Sequence, residues 1–200
     1  MIGVIEGHIM TVSEQAVVLQ AHGVGFELAV LQSSGYVVEQ TMRLFVHMHW
    51  NQDQGPSLYG FQAERERDIF RLLISCSGLG PKMGMSVLQT LTPESVIQSI
   101  QSSDARTLSQ VNGIGAKKAE QFILYLKPKV DALLASGAIS HDDIAGAQHI
   151  HDLRDVLHSL GYTKSEISMV STHLAKQEQM QEVSFDYLMR KALQFLSQLK

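Results

Sequence analysis

The chain is short of several things, and each shortage excludes something. Its 200 residues include one cysteine, Cys76, so no disulfide can form within the chain. Its surroundings read as those of a small buried hydrophobe rather than a reactive thiol. No apolar run approaches the ~20 residues of a membrane span. The opening Met1-Ile2-Gly3-Val4-Ile5-Glu6 lacks the basic region and cleavage site of a signal peptide, so a cytoplasmic chain is expected. There is no glycine loop ending in Lys-Ser or Lys-Thr, so ATP hydrolysis has to come from elsewhere. Nothing calls for a metal or another cofactor. Basic residues are scarce at the start: Arg43 stands alone against five acids in residues 1–63.

The remaining charge is unevenly spread. The net charge is −4, which argues against a protein that coats DNA generally. Residues 64–130 nevertheless hold nine basic and six acidic residues, while residues 131–200 hold six basic and nine acidic. The middle third alone is positive, which fits a local face for nucleic-acid backbone.

That third holds two glycine hairpins, Gly78-Leu79-Gly80-Pro81-Lys82 and Gly113-Ile114-Gly115-Ala116-Lys117-Lys118. Each follows an apolar stretch and opens a helix-compatible run. The glycines permit a tight turn with positive φ and close approach of a ligand to bare backbone. The apolar residue between them can plug into the core. The first N–H groups of the new helix then point outward, a ready site for phosphate. Pro81 suits the first helical position, which needs no donor. Lys82, Lys117 and Lys118 add charge at the same place. Gly80 and Gly115 are expected to tolerate replacement least, because a side chain there would block both turn and phosphate. This is a helix-hairpin-helix pattern, which holds backbone without reading bases. One copy could be a packing device; a second, 35 positions on and again with lysines, favours phosphate. A dinucleotide site fits less well. Gly78, Gly80 and Gly84 miss Gly-x-Gly-x-x-Gly by one residue, and no strand signal precedes them.

Length allows one large or two to three small domains. Residues 1–63 read as β. Phe26, Leu28 and Val30 alternate with other residues, as do Leu44, Val46, Met48 and Trp50. Gly23-Val24-Gly25 marks a turn or bulge, and Asn51 to Pro56 a polar turn. Several short strands suggest a small closed barrel. His47 and His49 would share a strand face; exposed histidines fit better than metal ligands. Residues 64–135 read as two helix-hairpin-helix units with a connecting helix. Thr92-Pro93-Glu94 is a helix start, Ser103 or Asp104 can cap the next helix, and Pro128 should kink or end the last. Residues 136–149 read as a flexible linker, whose composition also accounts for His141 and His149, as it does for His151 just beyond. Residues 150–200 read as a small helical unit. Leu153, Val156, Leu157 and Leu160 share a face, Gly161 stops that helix, and Thr163 with Glu166 forms a capping-box pattern for the next. Ile167, Val170 and Leu174 follow. Ser184 would cap a third helix carrying Leu188, Ala192, Phe195, Leu196 and Leu199. A unit this small on a tether suits docking.

Taken together, Met1-Ile2-Gly3 with Gly7, Gly23-Val24-Gly25-Phe26-Glu27, Leu58-Tyr59-Gly60-Phe61, both hairpins and Leu160-Gly161-Tyr162 resemble the RuvA family of Holliday-junction-binding proteins along the whole chain. The resemblance implies an α+β multidomain fold: an oligonucleotide-binding (OB) barrel, a tandem helix-hairpin-helix domain, and a mobile C-terminal three-helix, UBA-like domain. It implies a homotetramer, with an octamer possible on DNA, that holds a four-way junction open and square-planar. The implied partners are RuvB, a hexameric ATPase, and the RuvC resolvase. Leu160, Tyr162, Ile167 and Met169 become candidates for the face that docks RuvB. The family's barrel loop carries two adjacent acids as a pin at the crossover; the matching turn here reads Asp53-Gln54, which leaves one carboxylate. In the second hairpin Ala116 displaces the lysine pair by one, and Gln121 stands where an arginine is usual. Two other readings compete. A base-excision glycosylase would need a catalytic residue beside a pocket, with Asp131 the nearest aspartate. A purely protein-binding adaptor would leave the lysine-bearing hairpins unexplained.

Overall fold

The computed structural model describes residues 2–33, 35–136, 153, 156–157, 159–163, 166–167, 170 and 185–198. They belong to two compact units, Met1–Lys129 and Val130–Lys200.

The first unit begins with five strands: β1 (Val4–Val12), β2 (Ala16–Ala21), β3 (Val24–Val30), β4 (Thr41–Asn51) and β5 (Gly55–Phe61). They close into a barrel in the order β1-β2-β3-β5-β4, with β4 returning to pair with β1. All pairings are antiparallel except β3 with β5, joined at Ala29↔Tyr59 and Val30↔Gly60. This is the closed barrel that the strand pattern suggests, of the OB type that the resemblance implies. Alternation decides what is inside, because successive side chains point to opposite faces. Ile5, Ile9, Val17, Leu19, Leu28, Val30, Leu44 and Val46 fill the interior. Fully burying one such side chain contributes about 1.5–3 kcal/mol.

Five helices follow: α1 (Glu64–Ile74), α2 (Pro81–Thr90), α3 (Pro93–Gln101), α4 (Ala105–Ser109) and α5 (Ala116–Ala135). Helix α1 fastens this set to the barrel. Its Phe70 ring meets those of Phe61, Tyr59 and His47 at centroid distances of 5.1, 5.0 and 5.5 Å. The Arg67 guanidinium lies 5.7 Å from the Phe45 ring. His47 therefore departs from the exposed histidine expected. It is half-buried, and its Nε2 has no hydrogen-bond partner. Burial, with Arg71, His49 and Arg67 nearby, pushes its pKa below the usual histidine value. A β-strand face that looks solvent-facing in sequence is covered by Phe70 from 23 residues on. Among the described residues no three His, Cys, Asp or Glu side chains gather as metal ligands, and no helix is long and apolar enough to cross a membrane.

The helix boundaries follow their caps. Thr92 Oγ1 accepts from the Ser95 N–H at the start of α3. Of the two candidates for α4, Asp104 does the capping, accepting from the Arg106 and Thr107 N–H groups. Pro128 does not end α5, which continues to Ala135. A proline at 128 removes the donor for the Leu124 carbonyl, four residues back. Leu124 is itself 77% exposed, on the open side of the helix.

In the second unit, residues 153, 156, 157 and 159 are helical, as are 166, 167 and 170, and a helix spans Phe185–Gln198. Leu153, Leu157, Ile167, Val170, Leu188, Ala192 and Leu196 form its core. Of the four apolar residues read on one face, Leu153 and Leu157 are buried while Val156 and Leu160 are exposed. Glu166 Oε2 accepts from the Thr163 N–H while the Glu166 N–H reaches Thr163 Oγ1, so the capping box forms. Gly161 takes φ +86 and the Tyr162 N–H closes on the Leu157 carbonyl, ending the preceding helix. The expected linker from 137 on, Ser184 as a cap, and Leu174, Leu199, His141, His149 and His151 lie outside the described residues.

Candidate nucleic-acid interface

The two glycine hairpins have the same local geometry. In the first, the Leu79 N–H donates to the Cys76 carbonyl at 3.1 Å; in the second, the Ile114 N–H donates to the Val111 carbonyl at 3.0 Å. Each turn places a glycine third, Gly78 at φ +85 and Gly113 at φ +89. Leu79 and Ile114 then plug into the core at 2% and 4% exposure. Cys76, at the head of the first turn, is buried like its counterpart Val111, and burial pushes its thiol pKa up.

Gly80 and Gly115 do something else. Each is the residue from which a helix begins: the Gly84 N–H donates to the Gly80 carbonyl and the Ala119 N–H to the Gly115 carbonyl. Gly80 has φ −76 and ψ 174, an ordinary extended backbone. A Cβ at either position would meet nothing within 4 Å. The expectation that a side chain at Gly80 or Gly115 would block the turn is therefore corrected. Gly78 and Gly113 carry the left-handed φ, and Gly80 and Gly115 leave the helix start bare.

That distinction gives a prediction. Gly78→Ala and Gly113→Ala should each cost about 1–2 kcal/mol of stability, the cost of a left-handed L residue. Gly80→Ala and Gly115→Ala should leave stability within about 0.5 kcal/mol, yet weaken DNA binding by crowding the backbone. Denaturant melts beside binding isotherms for the four variants would separate fold from contact. Equal destabilisation at all four positions would overturn the division of labour.

The electrostatics of the two helix starts are unusual for this chain. Acids occupy the first turn of α1 (Glu64, Glu66), α3 (Glu94) and the C-terminal helix (Asp186), where the helix dipole favours them. The first turns of α2, α4 and α5 contain no acid, but α4 is capped by the Asp104 carboxylate, so α2 and α5 alone among these helices lack a carboxylate at their start. They hold Lys82, and Lys117 with Lys118, all exposed. Neither is closed by a side-chain cap as α3 and α4 are: Gly80 makes none, and Gly115 has no side chain to offer. Cations at the positive end of a helix dipole oppose its field, and bare N–H groups beside lysines are an arrangement that suits an anion. The second hairpin lies against the start of α2: the Met83 methyl, in the first turn of α2, is 3.8 Å from where a Cβ on Gly113 would stand.

Two further cations in this domain were not singled out by sequence reading. Lys129 Nζ donates to Ser75 Oγ at 2.8 Å, just before the first hairpin, and lies 4.3 Å from the Tyr125 ring. Lys127 Nζ donates to Ser103 Oγ at 2.9 Å. They flank Pro128 in sequence, and only the positive balance of the middle third hinted at them.

The remaining candidates are placed as follows. Asp53 is exposed in the turn between β4 and β5. That turn is closed by Asn51, whose Oδ1 accepts from the Asp53 and Gln54 N–H groups. The Asp53 carboxylate is not what shapes it. Leu160 is 58% exposed, Tyr162 is half-buried, Ile167 belongs to the core of the second unit, and Met169 lies outside the described residues. Asp131 is an exposed residue of α5.

Comparison with known proteins places these features in company. Residues 1–60 match the family model described as RuvA N terminal domain, and residues 70–128 match SAM-like Helix-hairpin-helix tandem. Among similar proteins is the Holliday junction branch migration complex subunit RuvA of Trichlorobacter lovleyi, 32% identical over 98% of this chain and 99% of its own length. The protein of that name from Geobacter sulfurreducens is also 32% identical, over 98% and 99%. That from Herpetosiphon aurantiacus is 35% identical over 83% of this chain and 85% of its own.

Proposed function

Because the chain belongs to the RuvA family, we propose that it is a non-catalytic DNA-binding subunit that recognises four-way Holliday junctions. The observation that carries this reading is the repeated helix start, twice acid-free, lysine-bearing and bare of a side-chain cap, with the second hairpin against the first turn of α2. Such a pair suits two phosphates of one nucleic-acid backbone. Gly78, Gly80 and Lys82 form one contact, Gly113, Gly115, Lys117 and Lys118 the other. Backbone contacts position DNA without reading sequence, as a protein that follows a moving branch point requires.

The finer assignment extends the same reading. The barrel, residues 1–63, builds a homotetramer around the crossover and holds the junction open and square-planar. The helical domain, 64–135, grips the arms. Residues 150–200, tethered through 136–149, dock the hexameric ATPase RuvB through a face that includes Leu160 and Tyr162. ATP hydrolysis belongs to that partner, and the RuvC resolvase is a further one. The glycosylase alternative is not favoured, because Asp131 is a surface residue of a helix. Gel-shift titration with a four-way junction, a duplex and a single strand of varied sequence tests the reading. Preference for the junction, indifferent to sequence and without release of bases, is the expected result.

Asp53 acts in this scheme as an acidic pin. Four copies meeting at the crossover would face phosphates of like sign and discourage stacked, closed junctions, at some cost in affinity. Asp53→Asn should therefore bind junctions more tightly, most visibly at low salt, and Asp53→Lys more tightly still. With one carboxylate per chain the gain should be modest. Weaker binding by the lysine variant, with fold and assembly intact, would exclude the pin.

A further inference from the structure

Trp50 is the chain's one tryptophan, and it stands 66% exposed at the end of β4, three residues before Asp53. Its exposure follows from where the strand goes. Along its face of β4, Leu44 and Val46 are buried at 0% and 2%, Met48 is half-buried and Trp50 is open. The facing residues of β5 repeat the gradient: Gly60 is buried, Leu58 half-buried and Pro56 exposed, paired with Val46, Met48 and Trp50. The face that makes the core inside the barrel runs out beyond it and ends as an indole opposite a proline. Met48, Pro56 and Leu58 also line a groove of about 510 Å³ beside Phe26 and Tyr59.

Past Trp50 the chemistry changes at once. Gln52 and Gln54 offer neutral amides, while the Asn51 amide oxygen closes the turn, and Asp53 adds a single negative charge. This tip suits a flat group with apolar faces, hydrogen-bonding edges and no charge of its own. A nucleobase out of its pair has those properties: the indole can cover its face and the amides can meet its edges. The Asp53 carboxylate repels the phosphates but not the neutral base. We propose that Trp50 stacks on a nucleobase left unpaired at the junction crossover. The inference rests on the reading of the β4–β5 turn as the element that meets the crossover. It adds an attractive contact to the repulsive one assigned to Asp53, as aromatic platforms do for single strands and apolar wedges do for opened duplexes.

A sole tryptophan makes the test direct, because all indole emission comes from this site. The full chain is titrated with a four-way junction carrying 2-aminopurine at the crossover and with duplex made from the same arms, while anisotropy of a labelled arm reports binding. Quenching of Trp50 emission and of 2-aminopurine by the junction, and not by the duplex, is the expected result. Trp50→Leu should weaken junction binding about fivefold or more, the low end of a lost stack. Trp50→Phe should restore most of it. Junction binding with unchanged emission would overturn the stacking and leave the junction reading standing. Emission that responds to protein concentration but not to DNA would overturn it too, assigning the indole to contact with a second copy. Absence of junction binding altogether would bring down the functional reading and this inference with it.

Discussion

Replacing Lys82, Lys117 and Lys118 together with alanine should collapse junction affinity at low salt without harming the fold. The lysines are exposed and stand in the first turns of α2 and α5, where their charge opposes the helix dipole. Removing them relieves that opposition, so thermal stability should hold or rise slightly. Binding should move the other way. Each phosphate contact contributes about 0.9 to the log–log salt slope, so three per engaged chain contribute about 2.7. Between about 50 and 200 mM salt those three contacts account for roughly a 40-fold change in affinity, which the variant should no longer show. Stability and affinity changing in opposite directions would mark these residues as placed for a ligand. Unchanged affinity in the triple variant would remove the phosphate assignment.

A chain ending at Ser136 should bind junctions as the full chain does and yet fail to stimulate RuvB. The cut leaves α5 whole, since that helix ends at Ala135. It keeps the barrel and both hairpins. It removes a unit with its own core, in which Leu153, Leu157, Ile167, Val170, Leu188, Ala192 and Leu196 are buried and Leu160 is left 58% exposed. ATPase assays with the partner, beside gel shifts with the junction, would measure both halves of the expectation. Full stimulation by the shortened chain would end the tether-and-dock reading.

The features that the sequence made legible are those decided within a few neighbours. Alternation along β3 and β4 showed which side chains turn inward, because a period of two fixes the face. Thr92 and the Thr163–Glu166 pair read correctly as caps, since a capping bond spans three residues. The hairpins were visible as repeated Gly-x-Gly with lysines. Which glycine does what was not visible, because φ depends on the turn bond from Leu79 to Cys76, and both glycines satisfy the spelling. Pro128 read as a stop, yet α5 runs through it to Ala135. His47 depended on a ring supplied by α1. Lys129 and Lys127 depended on Ser75 and Ser103, 54 and 24 residues away. Long-range packing decided His47, Lys127 and Lys129.

Phosphate ethylation interference on a four-way junction tests the central claim most directly, because it asks which backbone phosphates must be free for the protein to bind. The account predicts interference at discrete phosphates on the arms, at the same distances from the crossover whatever the base sequence. Part of that pattern should vanish in Lys82→Ala and a different, neighbouring part in Lys117→Ala with Lys118→Ala. An interference pattern identical for the wild-type chain and both hairpin variants would contradict it.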